Sequence, residues 1–180
     1  VIVVEVMGRD TGWVAIVGGL AGGADFILIP EVEVPLEVIA EHLEKRAQRA
    51  KSSSIIVVAE GQAFSDINVP ETERDAFGHV RLDKKNVAEF VTSGIERLTG
   101  FETRATVLGH LQRGGSPTVF DRVLATRMGV HAIEQVKHGR FGRMVALQGN
   151  EITSVSLRMA IQNSPKKVNQ ELWRMAQLFY

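Results

Sequence analysis

The chain has 180 residues, 44% hydrophobic and 23% charged, with 21 basic residues against 21 acidic ones. Those proportions are ordinary for a globular protein and argue against disorder, so a single domain is the starting expectation. A formal charge of zero removes the broad basic face that nonspecific nucleic-acid binding needs, and the lack of cysteine removes disulfides, thiolate catalysis and cysteine-ligated metal sites.

Residues 1–6, VIVVEV, are nearly all apolar and β-branched, the pattern of a strand covered on both faces. The segment has neither a basic leader nor a cleavage site and does not read as a signal peptide. It also opens without Met inside a buried-type strand, so the chain is expected to belong to something longer. A turn at Met7, Gly8 and Arg9 leads into a short buried helix over 11–21, with Trp13, Val14, Ile16, Val17 and Leu20 packed and Gly22-Gly23 as its stop. A second strand is expected at 26–29, ended by Pro30. A helix follows over 35–51, with Leu36, Ile39, Ala40, Leu43 and Ala47 at helical spacing, and then a third strand at 55–59.

This order is a βαβαβ unit with right-handed crossovers and a parallel sheet. Residues 61–83 are polar and read as a loop or short hairpin insertion. A helix at 87–98, a strand at 103–108 and a long helix at 117–137 follow, the last with Val119, Val123, Met128 and Ile133 turned inward. One more strand is expected at 144–147, and Leu172, Met175 and Leu178 mark an amphipathic helix docked on the domain. The apolar runs at 26–29 and 55–59 are far short of the roughly 20 residues that span a bilayer, so no membrane contact is expected, and the cysteine-free composition fits the cytoplasm.

In open α/β sheets, ligands bind beyond the carboxyl ends of the strands. Met7, Gly8 and Arg9 follow the first strand, Glu60 and Gly61 the third, and Gly109, His110 and Arg113 the strand at 103–108. Guanidinium groups pair bidentately with phosphate, histidine can donate to it, and a carboxylate suits sugar hydroxyls. Gly114 and Gly115 allow close backbone approach, and Ser116-Pro117 reads as the N-cap and first turn of the next helix, whose N-terminus attracts anions. Together these residues describe a sugar-phosphate pocket. Arg104 begins its strand and so belongs to the opposite end. Taken singly, Arg9 is by default a solvated or paired surface residue and His110 a hydrogen-bonded structural histidine; Trp13 is core, and Asp121 and Arg122 form a surface pair. No Walker-type or dinucleotide-binding glycine fingerprint occurs, and no cluster with metal-ligand spacing.

MGRDTGW at 7–13, AGGAD at 21–25, PE at 30–31, AEG at 59–61 and TGFETRATVLGHLQRGGSPTVFDRVLATRMG at 99–129 resemble the C-terminal half of the bacterial ATP- or pyrophosphate-dependent 6-phosphofructokinases. The resemblance runs the length of the chain, and GHLQRGGSP is its most specific block. It implies a three-layer α/β/α Rossmann-like domain with a mostly parallel sheet, and phosphoryl transfer to the C1 hydroxyl of fructose 6-phosphate to give fructose 1,6-bisphosphate. By the same resemblance Met7, Gly8 and Arg9 hold the sugar phosphate, with Arg9 also catalytic beside the transferring group. Glu60 takes sugar hydroxyls, and His110 and Arg113 take the sugar and its 6-phosphate. Arg104 reaches the site of a neighbouring subunit, which implies a homodimer or homotetramer.

The family's donor loop and catalytic aspartate fall before the position of Val1. The resemblance therefore implies that Mg²⁺ comes mainly with the donor and the N-terminal half, and that this chain alone does not catalyse. Asp25 and Lys51 match effector positions of regulated members, although RAKSSS keeps one of the expected lysines. GRDTGW and FGHVRL resemble the pyrophosphate-using or mixed branch more than the compact ATP-dependent type. The alternative function is a non-catalytic sugar-phosphate-binding or assembly module.

Overall fold

The computed structural model describes residues 1–65 and 86–180. Alternation within the first strand sets its layers. Strand β1 (Ile2–Val6) sends Val3 to one face of a sheet and Val4 and Val6 to the other, so both faces must be covered. It pairs in parallel with β3 (Ile55–Ala59) on one side and β4 (Arg104–Val107) on the other, and β2 (Phe26–Leu28) adds to β3, giving the order β2-β3-β1-β4.

Val3, Phe26, Leu28, Ile56 and Val58 pack beneath helices α2 (Leu36–Gln48) and α3 (Val87–Thr99). On the other face Val6, Ile27, Ile29, Val57 and Ala59 pack against α1 (Trp13–Gly22) and α6 (Gln170–Gln177). This is the expected Rossmann-like three-layer arrangement with a mostly parallel sheet. Helix α1 is thinner in the core than its composition suggests: Ala15 and Ile16 are buried, but Val14 and Val17, expected to pack, are exposed. It ends on Gly23 in the left-handed region, with φ 69°. Helix α3 has no side-chain cap of its own. The Glu5 carboxylate, carried on the same sheet face, accepts from the Ala88 N–H at 2.8 Å and places an anion at that helix N-terminus.

Two long-range contacts bind the tail. The Tyr180 ring stacks on Phe26 at 4.1 Å, and its hydroxyl donates to the Ile27 carbonyl (2.9 Å) while accepting from the Ile27 N–H (3.1 Å). Burial pushes the Tyr180 phenol up to about 12. The Glu31 carboxylate accepts from both the Gly12 and the Val168 N–H groups, at 3.0 Å each.

Residues 114–166 form a compact unit of their own, apart from the unit of residues 1–113 and 167–180, where the sequence suggested a single domain. The expected extra strand at 144–147 is β5 (Arg143–Gln148), but it pairs antiparallel with β6 (Glu151–Ser156) rather than joining the parallel sheet. Strand β6 and the short helix α5 (Leu157–Gln162) went unforeseen, because EITSVS is too polar to register as a strand by hydrophobicity. The long helix α4 spans Val119–Lys137, and its N-cap is Thr118, not Ser116. Thr118 and Asp121 form a reciprocal capping box, which satisfies two backbone donors where a Ser-Pro start satisfies fewer. Of the residues expected to face inward on α4, Met128 is half-buried, whereas Val119, Val123 and Ile133 are exposed. The insertion expected at 61–83 lies outside the described residues from residue 66 onward. Among the described residues, no helix is long and apolar enough to cross a membrane.

Half-buried His42 on α2 stands edge-on to Phe26 and Tyr180, its Nε2 without a hydrogen-bond partner. Burial holds its imidazole below the usual histidine range; Arg46 acts in the same direction, and Asp25 opposes both. The unfolded chain therefore takes up this proton first, and stability is lost as pH falls below about 6.5. Urea unfolding measured across this range is expected to show that decline, and the His42→Phe variant to flatten it.

Candidate functional site

Parallel pairing in register makes strands end together. Val6 lies beside Ala59 and Glu5 beside Val107, so β1, β3 and β4 release their following loops at one edge. Three sequence-predicted groups arrive there: Met7, Gly8 and Arg9 after β1, Glu60 after β3, and His110 and Arg113 in a 3₁₀ helix, Gly109–Arg113, after β4.

These loops are bonded to one another. The Glu60 N–H donates to the Val6 carbonyl at 2.9 Å, and the Gly8 N–H donates to Glu60 Oε1 at 3.2 Å. On the other flank the Met7 N–H donates to Gln112 Oε1 at 2.7 Å, and Arg113 Nε lies 3.4 Å from Met7 Sδ. Two glycines permit this closeness. Gly8 has φ +149°, and a Cβ there would lie 2.8 Å from the Thr11 carbonyl oxygen. A Cβ on Gly61 would lie 1.8 Å from the Arg9 carbonyl oxygen, and the Gly61 N–H donates to the Gly8 carbonyl at 2.9 Å. Arg9 and Glu60 are half-buried, while His110 and Arg113 are open to solvent. The arrangement offers two guanidinium groups and an imidazole to an anion, with one carboxylate to accept from hydroxyls.

The other candidates lie at the opposite edge. Arg104 opens β4, where its Nε and Nη2 donate to Glu102 Oε1 at 3.0 and 2.6 Å on an exposed surface. Asp25, just before β2, accepts from the Ile55 N–H at 2.8 Å and pairs with Arg46 at 2.7 Å, so its carboxylate is engaged in joining β2, β3 and α2. Lys51 lines an open cavity of about 610 Å³ with Ser52, Ser53 and Phe101. Among the described residues no group of three or more His, Asp or Glu converges to hold a metal ion. The sequence reading missed Gln112. A neutral amide between an imidazole and a guanidinium has no charge signature, and its role depends on a partner 105 positions away.

The family model for phosphofructokinase matches residues 1–136. The chain is 48% identical over 180 residues to the pyrophosphate–fructose 6-phosphate 1-phosphotransferase of Amycolatopsis methanolica, covering 99% of this chain and 52% of that protein. It is 42% identical over 182 residues to the ATP-dependent 6-phosphofructokinase of Corynebacterium efficiens, covering 100% of this chain and 52% of that one. The chain thus spans about half the length of the curated relatives it matches. Among solved structures, the phosphofructokinase of Saccharomyces cerevisiae matches with a TM-score of 0.70 and 32% identity, covering 89% of this chain and 20% of that one. The pyrophosphate-dependent enzyme of Marinobacter aquaeolei matches in fold with a TM-score of 0.68 at 23% identity, covering 87% of this chain and 38% of that one.

Because the Gly61 methylene abuts the Arg9 backbone, Gly61→Ala is expected to displace the Arg9 loop and to destabilise the chain by about 1–3 kcal/mol, the usual range for forced overpacking. Chemical denaturation checks the magnitude, and amide chemical shifts of residues 7–12 check the place.

Proposed function

Because this chain belongs to the phosphofructokinase family, we propose that it forms the acceptor-substrate lobe of a 6-phosphofructokinase and binds fructose 6-phosphate at the carboxyl edge of its sheet. The observation that carries the reading is the bonded cluster of strand-end loops, in which Met7, Glu60, Gln112 and Arg113 draw Arg9 and the exposed His110 turn towards one place. Arg113 and His110 bind the 6-phosphate and the sugar, and Met7 and Gly8 form the wall beside them. Glu60 accepts hydrogen bonds from the sugar hydroxyls and so fixes the direction of C1.

In the transfer the C1 oxygen attacks the terminal phosphorus of the donor in line, the bond to the donor's leaving oxygen breaks, and fructose 1,6-bisphosphate results. Arg9 is the catalytic residue of this lobe, placed to neutralise charge on the group in flight. The base that takes the C1 proton and the donor pocket come from the N-terminal half of the enzyme, which this chain does not span. Mg²⁺ comes mainly with the donor and the N-terminal half; among the described residues no group of three or more His, Asp or Glu gathers to hold it. Arg104, separate from its own chain's site, serves the site of a second copy in a homodimer or homotetramer. Pyrophosphate is taken ahead of ATP as donor on the GRDTGW stretch, and relatives of similar identity bear both donor names.

Titration calorimetry tests the binding. The chain is expected to bind fructose 6-phosphate with release of heat, and Arg113→Ala to weaken it at least about ten-fold, as loss of a hydrogen bond to a charged group does. Unchanged affinity in Arg113→Ala overturns that residue's assignment. Mixing the chain with the corresponding first half of the Amycolatopsis methanolica relative tests the chemistry, with pyrophosphate and ATP assayed in parallel. Transfer in the mixture supports the enzyme lobe. Binding without transfer under any mixture supports the alternative, a non-catalytic sugar-phosphate-binding or assembly module.

A further inference from the structure

In a parallel ladder, alternate residues of a strand bond to one neighbour and the remaining residues to the other. On its β4 side, β1 receives the Arg104 N–H at the Val1 carbonyl (3.0 Å) and the Leu108 N–H at the Glu5 carbonyl (3.0 Å), so its odd residues face β4. The next rung would run from the Met7 N–H to the Leu108 carbonyl. That rung is not made. The chain leaves the strand direction at Gly109, with φ +47°, and the Leu108 carbonyl accepts from the Leu111 N–H instead. Gln112 Oε1 takes the vacated place, accepting the Met7 N–H at 2.7 Å.

The β3 side ends in the same manner. The Ile2 N–H donates to the Ser54 carbonyl and the Glu60 N–H to the Val6 carbonyl, both at 2.9 Å, so the next rung would join the Gly8 N–H to the Glu60 carbonyl. The Gly8 N–H goes to the Glu60 side chain instead, at 3.2 Å. Both flanks of the β1 exit are therefore finished by side-chain acceptors standing in for backbone carbonyls. Glu60 takes sugar hydroxyls in the proposed pocket, whereas Gln112 is assigned no contact with the sugar phosphate and acts only between the loops.

We propose that Gln112 is a positioning residue: its side-chain carbonyl serves as the last rung between β1 and β4 and holds the Met7-Gly8-Arg9 loop at a set distance from the turn that carries His110 and Arg113. The role rests on the fructose 6-phosphate reading of this edge. Arg113, the next residue, reaches Met7 from the same turn through Nε, so a chain that loses the Gln112 bond lets the two cationic loops part. A neutral amide suits the position, because a carboxylate would accept the same N–H but would set a negative charge beside a phosphate site.

The experiment compares Gln112→Ala and Gln112→Glu in the present chain, reading the Met7 amide by hydrogen exchange in nuclear magnetic resonance and fructose 6-phosphate affinity by calorimetry. In Gln112→Ala the Met7 amide is expected to exchange several-fold faster and affinity to fall about five- to ten-fold, the scale of one lost hydrogen bond, with the melting temperature unchanged because Gln112 is exposed. In Gln112→Glu the Met7 protection is expected to return, which a merely space-filling role would not produce. A Met7 amide that exchanges in Gln112→Ala as it does in the parent overturns the rung. A freed Met7 amide with affinity within about two-fold of the parent overturns the positioning role. A parent chain that binds no fructose 6-phosphate overturns the proposed function and Gln112's part in it, while the Met7 amide still reports separately whether the rung exists.

Discussion

The structure depends on the parallel pairing of β1 with two neighbours at once. Because β3 and β4 are held in register against the same strand, their loops leave at the same height, and residues more than one hundred positions apart become neighbours without any contact designed between them alone. The covering of both sheet faces makes that pairing obligatory: Val3 and Ile56 beneath α2 and α3, Val6 and Ala59 beneath α1 and α6, leave β1 no register in which fewer apolar groups meet water. The candidate site follows from this alignment, with the Glu60 and Gln112 side chains accepting the Gly8 and Met7 N–H groups past the point where the backbones diverge.

The same alignment sorts the charged residues of the chain. Arg9, Glu60, His110 and Arg113 lie where the strands end; Asp25, Lys51 and Arg104 lie where they begin. Two residues of β4's surroundings, Arg104 and Arg113, are thus nine positions apart in sequence yet at opposite edges of the sheet. An arginine count along the chain suggests one cationic cluster, but a strand between two arginines separates them by its whole length. The Asp25 carboxylate also shows how a residue at a ligand-like position can be spent on architecture, since it joins the start of β3 to the end of α2.

Much of this was legible beforehand where a single physical rule governs. Buried parallel strands need unbroken apolar runs, and IIVVA and VIVVEV announced themselves; α2 repeats Leu36, Ile39, Ala40, Leu43 and Ala47 at helical spacing and buries the first four, while Ala47 is exposed. Legibility failed where the deciding partner is remote or where hydrophobicity misleads. EITSVS forms β6 through an antiparallel partner rather than through apolar burial. Val119, Val123 and Ile133 repeat on α4 as a core face would, yet stay exposed. Thr118 outcompeted Ser116 as N-cap because of Asp121, three residues on, a pairing the sequence displays plainly but which the Ser-Pro pair overshadowed. Glu5, Glu31 and Gln112 each act through backbone amides far along the chain, and no local spacing identifies an acceptor whose donor lies elsewhere.

The phenol of Tyr180 has a further consequence for the sheet's outer border. Among the described residues strand β2 is an edge, and an edge strand with free N–H and carbonyl groups is a template on which another chain can add. At Ile27 both groups are occupied by one oxygen atom, delivered by a residue 153 positions later. A single side chain thus does at Ile27 what a further strand would do along this border. The last residue of the chain thus completes, at Ile27, the hydrogen bonding of a strand laid down near its start.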